Sequence, residues 1–470
     1  MTGTTICALA TGQGGAIGVI RVSGPNSVNI ADRIFSSPKK HFSLLQVAPY
    51  TLHYGDIVDD DKQVVDEVLL TVFRAPHSYT GEDSVEISCH NSLYITQRIQ
   101  ELLISHGCHM AQPGEFTQRA FLNGKMDLSR AEAVADVIAS TTQASHSLAF
   151  NQMRNGFSVE FNNLKDKLLH ITSLFELELD FSDHEDLAFA DRTELSALLH
   201  DLKAHLHRLV HSFQQGNVIK NGLPVALVGD TNVGKSTLLN AILEEDKAIV
   251  SHIAGTTRDS IEDTVTLSGY LFRFIDTAGI RDTEDTIEKI GIERTFQKIS
   301  QSQVVVWMVD GIKCTKGEDL LQVSEYISKV VPSGKVVFLV VNKWDEVSDK
   351  DRTTIEHSLA KTGYPSMVLS AKTGEGLSCL KEALVSYVRE LSGHSEGYIV
   401  SNLRHYEALQ SALLCVERAE VAMSRQLPSD LIVQDLRECL YHLGEIVGEI
   451  SSSDIIHNIF SKFCIGKYTT

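Results

Sequence analysis

Residues 225–240 read VALVGDTNVGKSTLLN. A β-branched apolar run gives way to Gly229-x4-Gly234-Lys235-Ser236, and that loop opens directly into the helical pattern STLLN. A strand, a glycine loop and a helix N-terminus in this order make a phosphate cradle. Backbone N–H groups converge on the phosphates, Lys235 reaches the β/γ oxygens, and the Ser236 hydroxyl is placed for Mg²⁺. Asn232, Val233 and Thr237 complete the loop residues expected at the nucleotide.

Outward from the loop, apolar runs alternate with helical stretches: YLFRFID (270–276), VVVWMVD (304–310), VVFLVVN (336–342) and SMVLS (366–370). Buried strands separated by helices predict a parallel sheet with helical crossovers. The base is read far downstream, at NKWD (Asn342, Lys343, Asp345). A carboxylate accepts two hydrogen bonds from guanine N1–H and its 2-amino group. Adenine has no amino group there and leaves Asp345 unpaired, so the site selects guanine. Ser370, Ala371 and Lys372 follow a strand, where a backbone donor can meet guanine O6. DTAG (Asp276, Thr277, Ala278, Gly279) ends another strand; Asp276 is expected to order the Mg²⁺ shell and the Gly279 N–H to meet the γ-phosphate. GTTRD (255–259) fills the switch position, with Thr257 as a Mg²⁺ ligand. After DTAG stands Ile280 rather than a water-orienting glutamine, and the loop RDTEDTIEKIGIERT (281–295) offers Glu284, Asp285 and Glu288 in its place.

The rest of the chain bounds this reading. At 470 residues it is long enough for two to four domains, and 43% hydrophobic with 22% charged content is ordinary for a soluble globular protein. No run approaches a membrane span, and MTGTTICALATGQGG (1–15) lacks the basic flank of a signal peptide. Eight cysteines without a C-x-x-C pattern suit a reducing cytoplasm and suggest neither a disulfide framework nor a zinc ribbon. A net charge of −19 argues against broad adhesion to nucleic acid, though not against a local basic patch. Strand-like runs at 17–22, 64–73 and 84–89 precede a helix ending at Gly107. Long helical stretches flank the strand–helix core on both sides, so the simplest architecture inserts that core into one helical domain.

Four further segments carry a resemblance: GAIGVIRVSG (15–24), SYTGEDSVEISCH (78–90), QPGEFTQRAFLNGKMDL (112–128) and the terminal FCIGK (463–467). With the inserted GTPase core, the whole chain resembles the tRNA-modification GTPase family MnmE, also called TrmE. The resemblance implies a multidomain α/β and α protein. Its parts would be an N-terminal α+β folate-binding and dimerisation domain (1–120), a discontinuous helical domain (121–218 and 381–470) and an inserted Ras-like P-loop α/β G domain (219–380). It implies a homodimer that binds GTP or GDP and tRNA and forms a heterotetramer with an FAD-dependent MnmG (GidA) partner. A (carboxymethyl)aminomethyl group would be placed on C5 of the wobble uridine, its one-carbon unit drawn from 5-formyl- or 5,10-methylene-tetrahydrofolate. Folate contacts would fall on Arg21, Glu86, Lys125 and Lys467; K⁺ would be held by Asn232, Ser251, Ile253 and Thr256, and Glu288 would be the catalytic, water-orienting acid. Ser251 and Thr256 would thereby join the GTP site. Two departures from the family pattern are Thr231, where proline is usual, and CHNSL (89–93), where HGG is usual. The rival reading is a ribosome-assembly or RNA-binding switch that shares the G domain, but no G-x-x-G-type RNA clamp accompanies it.

Overall fold

The computed structural model describes residues 3–154, 156–180, 192–245, 262–275, 296, 298–315, 319–393, 398–449 and 459–460. They gather into two compact units: Met1–Ala139 with Ala149–Leu202 and Ser411–Thr470, and Ser140–Leu148 with Lys203–Gln410. The architecture is multidomain, α+β and helical in the first unit and α/β in the second.

The first unit opens with seven strands: β1 (Thr5–Leu9), β2 (Ile17–Ser23), β3 (Phe35–Ser36), β4 (Thr51–Val58), β5 (Val64–Phe73), β6 (Ser84–His90) and β7 (Cys108–Met110). They form one sheet in the order β3-β4-β5-β6-β2-β1-β7, antiparallel except where β7 joins β1. Alternation sorts its faces. Ile20, Val22, Leu70, Val72, Val85 and Ile87 pack beneath helices Ser27–Ile34 and Leu93–Ser105, which contribute Val28, Ala31, Ile34, Ile99 and Leu103. The intervening positions put Arg21 directly opposite Glu86. Phe116, from helix Glu115–Leu122, joins Ile6, Ala8 and Ala111 in a smaller cluster with Tyr79 packed against it. The helical part is built on long stripes. Phe161, Leu164, Leu168, Ile171 and Phe175 are all buried on helix Gly156–Asp180, at alternating spacings of three and four. Ile432, Leu436, Cys439, Leu443 and Ile446 repeat that spacing on helix Ser429–Val447, which packs against it. Arg437 to Glu176 (2.7 Å) and Lys165 to Glu449 (2.7 Å) tie the pair at its surface.

The second unit holds β8 (Leu223–Gly229), β9 (Glu262–Leu267), β10 (Tyr270–Ile275), β11 (Val304–Asp310), β12 (Val336–Asn342) and β13 (Ser366–Val368). Their order is β13-β12-β11-β8-β10-β9. All seven residues of β11 are buried, because helices cover both faces. Val304, Val306 and Met308 meet Leu238, Ile242, Leu380 and Leu384 on one side. Val305, Trp307 and Val309 meet Leu320, Ile327, Ile355 and Leu359 on the other. One strand departs from the parallel expectation: β9 runs antiparallel to β10. The cause is local, a two-residue turn at Ser268 (φ 49°) and Gly269 (φ 84°), whose left-handed backbone matches strand twist. Among the described residues no helix is long and apolar enough to cross a membrane.

Candidate nucleotide site

Parallel strands deliver their C-terminal ends to one edge, where open α/β sheets bind ligands. β8 ends in the glycine loop, β12 ends at Asn342, and the 370–372 segment follows β13. Gly229 adopts φ 150°, and a Cβ there would lie 2.4 Å from the Met308 carbonyl oxygen. Gly234 adopts φ 102°, and its Cβ would lie 2.3 Å from Asn342 Nδ2. Both glycines are therefore required by close approach as well as by backbone conformation. Helix Lys235–Glu245 begins at once, with Ser236 exposed in its first turn.

The loops meet through one buried side chain. Asn342, 2% exposed, donates from Nδ2 to the Val233 carbonyl at 2.7 Å and accepts at Oδ1 from the Ala371 N–H at 2.9 Å. This amide fastens the phosphate loop to the segment that sequence reading aims at guanine O6. Around the fastening lies a cleft of about 280 Å³ lined by Asn232, Gly234, Thr237, Asn342, Lys343, Asp345, Glu346, Ser370 and Lys372. The glycine-loop residues and those expected to read the base thus line one cleft. Asp345 is exposed to it, whereas Ser370 is fully buried and its Oγ accepts from the Thr373 N–H at 3.2 Å.

The charges are held in place. Lys235 Nζ donates to the carbonyls of Gly229 (2.8 Å) and Asp230 (2.7 Å). Burial, and then the charge of Lys298, pull its pKa below the ordinary lysine value, so an anionic ligand would relieve it. Lys343, at φ 62°, ion-pairs with Asp310 at 2.6 Å, and Lys313 with Asp230 at 2.6 Å. Arg352 lies 5.3 Å over the Trp344 ring and donates to its carbonyl at 3.0 Å, which braces the NKWD turn. Sequence reasoning missed Asp310 and Arg352. Asp310 had a signal, a lone carboxylate closing an apolar strand; Arg352 had none.

Of the other expected residues, Ser251, Ile253, Thr256, Thr257, Asp276, Thr277, Ala278, Gly279, Glu288 and Lys467 lie outside the described residues. In the first unit Arg21 and Glu86 are joined to each other, Nε to Oε1 at 2.8 Å and Nη2 to Oε1 at 2.7 Å. The guanidinium sits over Tyr79 (5.2 Å) and Phe116 (5.6 Å). Lys125 lies along Gly81 and donates to the Pro76 carbonyl at 3.0 Å, on the loop that carries Tyr79. Next to it Arg119 is buried among Glu82, Glu115 and the Thr4 carbonyl, a network the sequence did not announce.

Comparison with known proteins finds matches over both the N-terminal part and the rest of the chain. The family described as MnmE helical domain matches residues 128–464, and that described as GTP-binding protein TrmE N-terminus matches residues 5–125. The chain is 51% identical over 472 residues to a tRNA modification GTPase MnmE of Bacteroides thetaiotaomicron, covering 99% of this chain and 100% of that one. It is 51% identical to the protein of the same description from Parabacteroides distasonis, covering 99% and 100%. With the Flavobacterium johnsoniae protein the identity is 50%, covering 98% and 99%. A family match over most of the length, with relatives half identical from end to end, places the chain in the MnmE (TrmE) family of tRNA-modification GTPases.

Proposed function

We propose that this GTPase couples hydrolysis of GTP to placing a (carboxymethyl)aminomethyl group on C5 of the wobble uridine of certain tRNAs, acting with an FAD-dependent MnmG-type partner. The observation that carries the nucleotide half is the Asn342 fastening, which puts Asp345 and the phosphate loop around one cleft. Asp345 accepts from guanine N1–H and the 2-amino group. Lys235 exchanges two neutral carbonyls for phosphate oxygens, a charge-assisted gain. Ser236 and Thr257 would hold Mg²⁺, and Asn232, Ser251, Ile253 and Thr256 would hold K⁺. Ser236 and Asn232 suit that use, since both are exposed at the loop. Bound there, the cations supply fixed positive charge where negative charge develops between the β- and γ-phosphates. Glu288 orients the attacking water in place of the glutamine that Ile280 replaces.

The folate half rests on Arg21 and Glu86, a guanidinium and a carboxylate held beside two aromatic rings. A tetrahydrofolate derivative offers each of them a partner: its glutamate carboxylate for Arg21, Lys125 and Lys467, and a pterin donor edge for Glu86. The chain acts as a homodimer through its N-terminal part, in the cytoplasm.

Turnover assays test the nucleotide half. Asp345→Asn should lose GTP and gain xanthosine triphosphate, whose 2-oxo group matches an amide donor. Wild-type turnover should be much faster in K⁺ than in Na⁺, and Glu288→Ala should bind GTP without hydrolysing it. A variant at 345 that still prefers GTP would reject the base assignment, and equal rates in the two salts would reject the cation site.

A further inference from the structure

Helices Leu403–Ser424 and Ser429–Val447 follow one another in the chain, and their facing sides gather three chemically different donors. Cys415 comes from the first helix. Glu438 and His442 come from the second, four residues apart and so on one face. One ligand atom from each lies within 4.8 Å of the other two. Cys415 is 1% exposed, and desolvation raises its thiol to about 11.

His442 is already oriented. Its Nδ1 lies 3.2 Å from Glu445 Oε2, while Nε2 faces Glu438 Oε1 across 4.0 Å. A carboxylate on Nδ1 fixes the tautomer that carries its proton there and leaves the Nε2 lone pair toward Glu438. This is the carboxylate–histidine arrangement that supports metal-bound imidazoles. A distance of 4.0 Å is too long for a hydrogen bond, and it spans the space a bridging cation would need.

A cation already serves these donors from outside. Arg418 donates from Nη2 to Glu438 Oε2 and, at 3.4 Å, to Cys415 Sγ; its Nε is anchored on Asp435 at 2.8 Å. Its side chain is 51% exposed, so it can swing outward while keeping Asp435. We propose that Cys415, Glu438 and His442 form a binding site for a Zn²⁺-class divalent cation, with Arg418 as the internal competitor that neutralises the site when the metal is absent.

Thiolate, imidazole and carboxylate together suit Zn²⁺ or Co²⁺ and exclude Mg²⁺, which takes oxygen donors. Zn–S of about 2.3 Å and Zn–N or Zn–O of about 2.0–2.2 Å require donors roughly 3.5 Å apart in a tetrahedron. Closing from the observed spread takes about 1 Å, within the reach of the exposed Glu438 side chain once Arg418 leaves. As the S–Zn bond forms, the Cys415 proton passes to solvent. Three protein donors leave a fourth position for water or an incoming group. Cys439, fully buried and next to Glu438, belongs to the core stripe and is not one of the three donors gathered within 4.8 Å.

Co²⁺ titration of the chelator-stripped full-length protein, in excess Mg²⁺, tests the site. A near-ultraviolet thiolate-to-cobalt band should grow in with the visible bands of tetrahedral cobalt, and Zn²⁺ should bleach both. Cys415→Ser should abolish the ultraviolet band. Glu445→Gln should weaken Co²⁺ by about 10–100-fold, the usual effect of removing such a partner. Arg418→Gln should tighten it, an outcome that a merely structural arginine would not give. No band in the wild type, a band that survives Cys415→Ser with helicity intact, or unchanged or weaker binding in Arg418→Gln would each overturn the site. Should the serine variant fail to fold, the Glu445 and Arg418 variants still decide.

Discussion

Asn342 stands out in the sequence as the first residue of NKWD, but the tie it makes across the candidate nucleotide site is visible only in three dimensions. Its carboxamide joins Val233, 109 positions away, to Ala371, 29 positions away. Asn342→Ala leaves that carbonyl and that N–H buried without partners, at about 1–3 kcal/mol for each orphaned group. The chain's two tryptophans, Trp307 and Trp344, are both buried in the same unit, so urea unfolding followed by their fluorescence reads the loss directly. A lower midpoint is expected; an unchanged one would show that the fastening carries no stability. Asp345 and Lys235 were legible in the sequence because their chemistry depends on identity and short spacing. The tie through Asn342 was not, because both partners are backbone groups that any residue could have supplied. Likewise Arg21 and Glu86 were nameable singly, but only the β2–β6 register makes them a pair.

At the scale of elements, Gly216 separates propensity from packing. It lies inside helix Arg192–Asn221, where glycine ordinarily costs about 1 kcal/mol relative to alanine. Here the segment after Tyr398 crosses the helix, and the Val400 N–H donates to Ser212 Oγ at 3.0 Å. A Cβ on Gly216 would stand 2.0 Å from the Val400 carbonyl oxygen. Gly216→Ala should therefore lower the thermal midpoint, with overpacking costing about 1–3 kcal/mol. A raised midpoint in a circular-dichroism melt would mean that propensity wins and the crossing is loose. Strands β2, β5 and β6 and the helix closing before Gly107 were readable, since alternation and helical periodicity are strong over seven or more residues. The hairpin partner β9 escaped notice. Its residues EDTVTL (262–267) are polar at alternate positions, as an edge strand requires, and so look like a loop beside the apolar runs. The two-residue β3 and three-residue β7 were too short to carry any period.

The whole molecule sets an electrostatic problem. A chain of net charge −19 repels a polyanion at long range, so any tRNA contact must be made through a local patch or through a partner. If the first unit binds the proposed folate, calorimetry with 5-formyltetrahydrofolate should give a saturable heat that Arg21→Ala greatly reduces. Full binding by that variant would remove Arg21 from the folate site. Whether GTP turnover in this chain serves wobble-uridine modification is read from the nucleosides of tRNA from cells lacking the protein. The C5-modified wobble uridine should disappear, return with the wild-type gene and stay absent with Glu288→Ala. Intact modification in the deficient cells would contradict it.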